Sequence, residues 1–253
     1  MHIMLTGHRG YIGSRLLERL KKDNSVVGFD LQDGQDLYDC DLLEKFDLIV
    51  HLAGKSGVRE STNDPAGYWR NNVEVSQRIF KRYGDDTRIL YASSSSAYEP
   101  DLNPYAASKY VLEELAERYP DTLGMRFHTV YSDTPRKGMF LDKLLNNEIE
   151  YVTNHHRDFV HIEDICDAIE ILIVKKHVNG IIDIGSGNPI RIRDLVPSAA
   201  IRLNTPHERT FTCANLEKMK TLGYKPKYNV ENFLTNTNKG VILNIINPNG
   251  ETR

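Results

Sequence analysis

Short apolar runs alternate with amphipathic stretches through the first two thirds of the chain. The runs HIMLT (2–6), SVVGFD (25–30), DLIVHLA (47–53), TRILYAS (87–93) and TLGMRFHTV (122–130) predict strands. Between them, YIGSRLLERLKK (11–22), the stretch near 65–83, PYAASKYVLEELAERY (104–119) and IEDICDAIEILIVKK (162–176) have helical periodicity. GIIDIG (180–185) adds one more strand. This alternation predicts an α/β fold, a doubly wound parallel sheet with helices on both faces. Beyond it the pattern predicts a helix near 191–203, a short helix ending at LGYKP, a last helix from about Val230, and a frayed NPNGETR end. There is no internal repeat and no long linker.

Composition narrows the classes. The chain has 253 residues, 40% of them hydrophobic, and a formal net charge of −3. That is ordinary globular composition, with no electrostatic footprint for nucleic acid or an anionic membrane. Cys40, Cys166 and Cys213 are odd in number and far apart, which reads as reduced thiols in a cytoplasmic protein. No signal segment or membrane-spanning apolar run is expected. His155 and His156 are adjacent, but no carboxylate spacing completes a metal site. His51, at the end of its strand, reads as a packing residue.

Two segments carry chemistry. In LTGHRGYIGSR (5–15), Gly7, Gly10 and Gly13 follow a predicted strand and open a predicted helix. Small residues there admit a pyrophosphate to the helix N-terminus. Asp30, ending the second strand, can accept the ribose hydroxyls of an adenosine. Leu31 and Gln32 supply no cation for a 2′-phosphate, so NAD is favoured over NADP. In YASSSSAYEPDLNPYAASK (91–109), Asn103-Pro104 reads as an N-cap with proline at the first helical position. Tyr105 and Lys109 then share one helix face. An ammonium beside a phenol favours the phenolate, so Tyr105 can take a proton from a sugar hydroxyl while the carbon gives hydride to NAD.

With these segments in place, the chain resembles the extended short-chain dehydrogenase/reductase family acting on nucleotide sugars. The resemblance runs in order through TGHRGYIGS, GFD, HLAGKSGVRES, NNV, YASSSSAY, PYAASK, MRFHTVY, RDFVHIEDI and DIGSGNP. It implies an NAD-binding domain over 1–128 and 158–184, and a small, reduced substrate lobe over 129–157 and 185–253. It implies that Tyr105 is the catalytic base, Lys109 its partner, and Ser94 with Ser95 the active serines. Gly7, Gly10, Tyr11, Ile12, Gly13, Asp30, Asp36, Leu37, Leu52, Ala53, Gly54, Asn72, Tyr105 and Lys109 would contact the cofactor. By the family's count DLIVHLA is the fourth strand, and the segment before it is shortened. A homodimer through the helices 65–83 and 104–119 is also implied.

The residues after Ser94 divide the relatives. Similar dehydratases carry Asp-Glu directly after the active Thr, and uronate decarboxylases carry a glutamate. Ser95 and Ser96 stand here instead, which favours 4-epimerisation. RFHTVYSDTPRKGM (126–139) resembles UDP-glucuronate 4-epimerases most closely. That implies a sugar carboxylate bound by Thr129 and Arg136, whose guanidinium can donate two parallel hydrogen bonds. Arg157 would meet the UDP diphosphate, and Ser94 and Ser95 also touch substrate. The alternatives are a 4-epimerase of a neutral UDP-sugar such as UDP-glucose or UDP-N-acetylglucosamine, a keto-sugar reductase or decarboxylase, and a non-catalytic NAD-binding sensor. TPHE (205–208) replaces the usual RPGE, so one diphosphate arginine is missing, and Arg209 is a speculative substitute.

Overall fold

The computed structural model describes residues 1–196, 199–203 and 205–237. Six parallel strands form the main sheet: β1 (His2–Thr6), β2 (Ser25–Phe29), β3 (Leu48–His51), β4 (Arg88–Ser94), β5 (Thr122–Phe127) and β9 (Gly180–Ile184). Their order is β2-β1-β3-β4-β5-β9. Helix α1 (Tyr11–Leu20) packs with α7 (Ile162–Val174) on one face. On the other lie α4 (Val75–Tyr83) and α5 (Pro104–Ala116). The strands feed both cores alternately. Ile3 and Leu5 face α1 and α7, while Met4 between them faces α4. This is the doubly wound sheet that the alternation predicts.

Chain order reverses at β1, which has β2 on one side and β3 on the other. A crevice forms at such a point, beyond the carboxyl ends of the strands. Gly7, after β1, and Ala53, after β3, lie there.

No strand forms between β2 and β3, so β2 is a sheet edge. The segment 36–46 is irregular, because DLYDCDLLEKF has no alternation to support a strand. Leu37, Leu42 and Phe46 anchor it to the α4 core. Its carbonyls are met by side chains: Arg78 donates to Leu37 O and Cys40 O, Arg82 to Leu42 O, and Tyr83 to Glu44 O.

The stretch near 65–83 is one continuous helical run. It comprises α3 (Pro65–Trp69), a π-helical turn (Arg70–Glu74) and α4, entered by α2 (Val58–Ser61). The π turn carries Asn72 and buries it completely.

The run 122–130 is not one strand. It leaves the main sheet at His128, whose N–H donates to Ile184 O, and continues as β6 (Thr129–Tyr131). β6 pairs with β8 (His156–His161), which also pairs with β10 (Pro189–Arg191). Helix α6 (Phe140–Leu145), β7 (Tyr151–Val152), α8 (Ile192–Leu195), β11 (Ala200–Ile201), α9 (Glu217–Thr221) and α10 (Val230–Thr237) complete the chain. The helix expected over 191–203 reduces to α8, since Arg191 is in β10 and Ala200–Ile201 pair with β7. A third core of Tyr131, Leu141, Leu144, Phe159, Leu195 and Leu234 lies beneath this region. The NPNGETR end lies outside the described residues.

Candidate active site

The glycine-rich turn is built for close backbone approach. Gly7 has φ 68°, and a Cβ there would lie 2.7 Å from Ala53 N. A Cβ on Gly13 would lie 2.0 Å from Gly7 O. Helix α1 begins at Gly10 with no side-chain cap and no acid in its first turn. Its N-terminal dipole therefore faces the crevice uncompensated, which suits a pyrophosphate. The Asp30 carboxylate, at the tip of β2, accepts from Arg9 N and Gln32 N, both at 2.9 Å. Each oxygen keeps acceptor capacity for a ribose hydroxyl. Asp36 is ion-paired with Arg70 at 2.8 Å, which with the Tyr38 N–H holds its carboxyl below the usual range. Leu37 is buried under this rim, and Leu52 is half-buried at the end of β3. The crevice thus fits a dinucleotide. Ile12 packs against the α1–α7 core, and the Tyr11 hydroxyl donates to Ser132 Oγ at 2.8 Å.

Asn72 joins the crevice to the catalytic helix. Its Oδ1 accepts from Lys55 N at 2.7 Å, and its Nδ2 donates to Lys55 O and to Ser108 Oγ. A Cβ on Gly54 would meet Asn72 Oδ1 at 2.7 Å and Lys109 Nζ at 3.5 Å, so only glycine fits between them. Below, Thr6 Oγ1 and His51 Nδ1 lie 2.7 Å apart, and His51 Nε2 and Ser76 Oγ 2.9 Å. Ser76 spends its proton on Asn72 O, so His51 carries its hydrogen on Nε2 and accepts from Thr6 on Nδ1. Burial, reinforced by the Lys109 charge, drives the His51 pKa down to about 3. His51 is a neutral packing residue, as its place at a strand end suggested.

Helix α5 starts as expected. Asn103 Oδ1 accepts from Ala106 N at 2.8 Å, and Pro104 takes the first helical position. Tyr105 and Lys109 follow on one face. The Ser94 hydroxyl stands near the Tyr105 phenol and acts to lower its pKa. Ser94 Oγ also accepts from Ser96 N, capping the 3-10 turn Ser95–Tyr98. Lys109 Nζ donates to Ala92 O at 2.8 Å.

The electrostatics differ from the simplest reading of the motif. Burial raises the Tyr105 phenol above its ordinary value, opposed by the Ser94 hydroxyl and the Arg136 charge. Lys109 is turned to the Ala92 carbonyl, and burial brings its own pKa down to about 8. The positive charge acting on the phenol in the protein alone is that of Arg136.

Arg136 stands across the cleft. Its Nη1 donates to Ser56 Oγ at 2.7 Å, and its side chain is exposed. Among the described residues no carboxylate pairs with it. Thr129 begins β6, half-buried. Ser95 is buried, and its carbonyl accepts from Arg209 at 2.7 Å.

Arg157 lies in a basic cluster. It approaches Glu208 at 3.4 Å, and Arg59 reaches the same carboxylate at 2.9 Å. His155 is not a bystander: its Nδ1 lies 3.1 Å from Arg157 Nη2, and its Nε2 2.9 Å from Thr205 Oγ1. Among the described residues no group of side chains is arranged to hold a metal, and no helix is long and apolar enough to cross a membrane.

Sequence reasoning missed Arg59, Glu208, Tyr98 and the buried pair Glu113–Arg126. Of these, only Glu113 had a signal, since it continues the four-residue spacing of Tyr105 and Lys109.

The comparisons agree with this geometry. Residues 3–185 match the model of the NAD dependent epimerase/dehydratase family. An uncharacterized protein of Methanocaldococcus jannaschii is 31% identical, covering 83% of this chain and 76% of its own length. An uncharacterized UDP-glucose epimerase of Bacillus subtilis is 27% identical, covering 93% of this chain and 96% of its own. The UDP-glucuronic acid 4-epimerase of Bacillus cereus, solved with UDP-glucuronic acid and NAD, superposes with TM-score 0.82 at 25% identity, covering 93% of this chain and 97% of its own. The chain belongs to the NAD dependent epimerase/dehydratase family. It is an enzyme of the epimerase type, and its cofactor is NAD.

Proposed function

We propose that this enzyme is a UDP-sugar 4-epimerase whose favoured substrate is UDP-glucuronate. The observation that carries the substrate is Arg136: an exposed guanidinium without a carboxylate partner among the described residues, close enough to act on the Tyr105 phenol. A sugar seated on Tyr105 would bring a C5 carboxylate within its reach. Bidentate pairing suits a guanidinium and a carboxylate. Thr129 and Ser95 complete the carboxylate site in this reading.

Bound NAD supplies a hydride acceptor for C4 and then the hydride that returns to the opposite face of the sugar. Tyr105 takes the proton of the C4 hydroxyl and later gives it back. Ser94, whose Oγ accepts from Ser96 N, would donate its own hydrogen to the same C4 oxygen. Lys109 would hold the cofactor ribose, with Asn72 and Gly54 shaping the approach. Arg157, helped by Arg59, binds the diphosphate in place of Glu208. Arg136 has a further duty: a 4-keto uronate is a β-keto acid, and a fixed carboxylate resists loss of carbon dioxide. In the same reading residues 129–157 and 185–253 form the substrate lobe, and 1–128 with 158–184 the cofactor domain. The protein is a cytoplasmic homodimer joined through the helical run 65–83 and α5.

The test is incubation with UDP-glucuronate, without added NAD, followed by proton NMR. UDP-galacturonate should grow to an equilibrium mixture and be absent with Tyr105→Phe. UDP-xylose or a pentose-4-ulose would make the enzyme a decarboxylase. Turnover of UDP-glucose or UDP-N-acetylglucosamine alone would move it to the neutral sugars.

A further inference from the structure

Three successive residues at the end of β4 face three residues spaced by four on α5, and two of the three pairs are hydrogen-bonded. Ala92 O accepts from Lys109 Nζ at 2.8 Å. Ser93 Oγ donates to Glu113 Oε1 at 2.5 Å. Ser94 faces Tyr105. Two members of this ladder are the catalytic pair, and the third, Glu113, has no part in the mechanism above. It is 2% exposed, deep between helix and sheet. A carboxylate there is costly unless it is paired and fully hydrogen-bonded. Arg126 of β5 meets that need, donating from Nε to Oε1 at 2.8 Å and from Nη2 to Oε2 at 2.6 Å.

The pair reaches the catalytic turn as well. The Arg126 guanidinium lies 4.0 Å from the centre of the Tyr98 ring. Tyr98 ends the 3-10 turn that starts at Ser95, and its hydroxyl donates to both oxygens of Asp183 on β9 at 3.1 Å. Arg209 stacks on the same ring and holds Ser95 O. One carboxylate therefore ties together the strand end, the turn bearing the serines and the catalytic helix.

We propose that Glu113 is a positioning residue for the epimerase reaction: paired with Arg126, it fixes Ser93 and hence Ser94, and keeps a negative charge beside the Lys109 ammonium. The reaction assignment rests on the function proposed above; the effect on Lys109 does not. Packing alone would be served by an apolar residue in this position, often at no loss of stability. The charge is what the ammonium needs. Burial works against the protonated lysine and Glu113 works for it. The other ionisable groups around these two are Tyr91 and Tyr98, Arg126, Asp183 on β9, His51 on β3, Tyr105, Tyr110 and Glu114 on α5 itself, and Glu117 just beyond it. Of these carboxylates, only Glu113 acts on Lys109 directly.

The experiment is an NMR titration of lysine-labelled, NAD-loaded protein, with the Lys109 signal assigned by Lys109→Arg. In the native chain Lys109 should titrate below the ordinary lysine range, as its burial dictates. Glu113→Gln keeps the hydrogen-bonding shape and removes the charge, and should lower that titration by about one pH unit. The alkaline limb of the kcat profile should move down by the same amount, measured on whichever UDP-sugar the enzyme turns over. Glu113→Gln with Arg126→Gln leaves no unpaired buried charge and serves if the single variant does not fold; it should shift Lys109 in the same direction. Ser93→Ala keeps both charges and should leave the Lys109 titration in place. Lys109 titrating at the native pH in either folded Glu113→Gln protein overturns the proposal. A shifted titration in an enzyme that epimerises no UDP-sugar keeps the electrostatic role and sinks the reaction assignment instead.

Discussion

On one side of the cleft, Tyr105, Lys109 and Glu113 lie on a single helix; Lys109 and Glu113 are hydrogen-bonded to the end of β4, and Tyr105 faces Ser94 there. On the other, Arg59, Arg136, Arg157 and Arg209 come from separate segments, and much of their contact is with one another's carboxylate, Glu208, or with short turns. The catalytic side is set by secondary structure, so it is in place before substrate arrives. In the proposed function the arginine side would exchange its present partners for an anion. The catalytic side is built on one helix and one strand, whereas the arginines are spread over α2, β8 and two loops.

That contrast can be broken from either side. The largest effect should come from Tyr105→Phe, which removes the proton carrier and leaves the helix intact. Epimerisation followed by proton NMR should fall by about a thousandfold or more. Next is Gly13→Ala. Its Cβ would lie 2.0 Å from Gly7 O, so the turn must open, and the purified protein should lose bound NAD as judged by absorbance and mass spectrometry. On the substrate side, Arg136→Ala should lower kcat/KM for UDP-glucuronate by about 10–100-fold, the range for losing hydrogen bonds to a charged group. Neutral UDP-sugars should be almost unaffected. Equal losses on both substrates would remove the carboxylate role.

The smallest effect sharpens the rigid side. His51 stays neutral in the folded chain, with its pKa near 3, while the unfolded chain takes a proton near pH 6.5. Between those values the unfolded state binds more protons, so stability rises with pH and falls as pH drops from about 6.5 towards 3. The slope from this one residue approaches about 1.4 kcal/mol per pH unit. Urea unfolding at several pH values should reveal it, and His51→Asn should flatten it.

The sequence was most legible where periods are long. Strands β1 to β5 and helices α1, α4, α5 and α7 all lie where the apolar pattern put them, and Asn103 capped α5 as its spacing with Pro104 predicted. The second half was harder for a physical reason. β6, β7, β10 and β11 have two or three residues each, too few for a period to show. The run 122–130 looks continuous because both sheets bury it, and only the turn at His128 divides it. The glycine turn, Asp30 and the Tyr105–Lys109 pair were readable because their spacing along the chain is itself the geometry. The pairings Glu113–Arg126 and Arg59–Glu208 join different elements, so no local pattern announces the partner, although Glu113 itself continues the spacing of Tyr105 and Lys109. Spacing likewise gives the face on which Lys109 lies, but not the carbonyl to which it turns.

The rim beside β2 has a different significance once the missing strand is considered. A strand is held at every second residue by its neighbour's backbone, so one residue added or removed shifts everything after it. The segment 36–46 is instead fastened at four carbonyls by Arg78, Arg82 and Tyr83. Between fasteners its length is free. The border of the crevice beside β2 can thus grow, shrink or be recut by mutation while the sheet keeps its register, which makes it the most editable wall of an otherwise rigid domain.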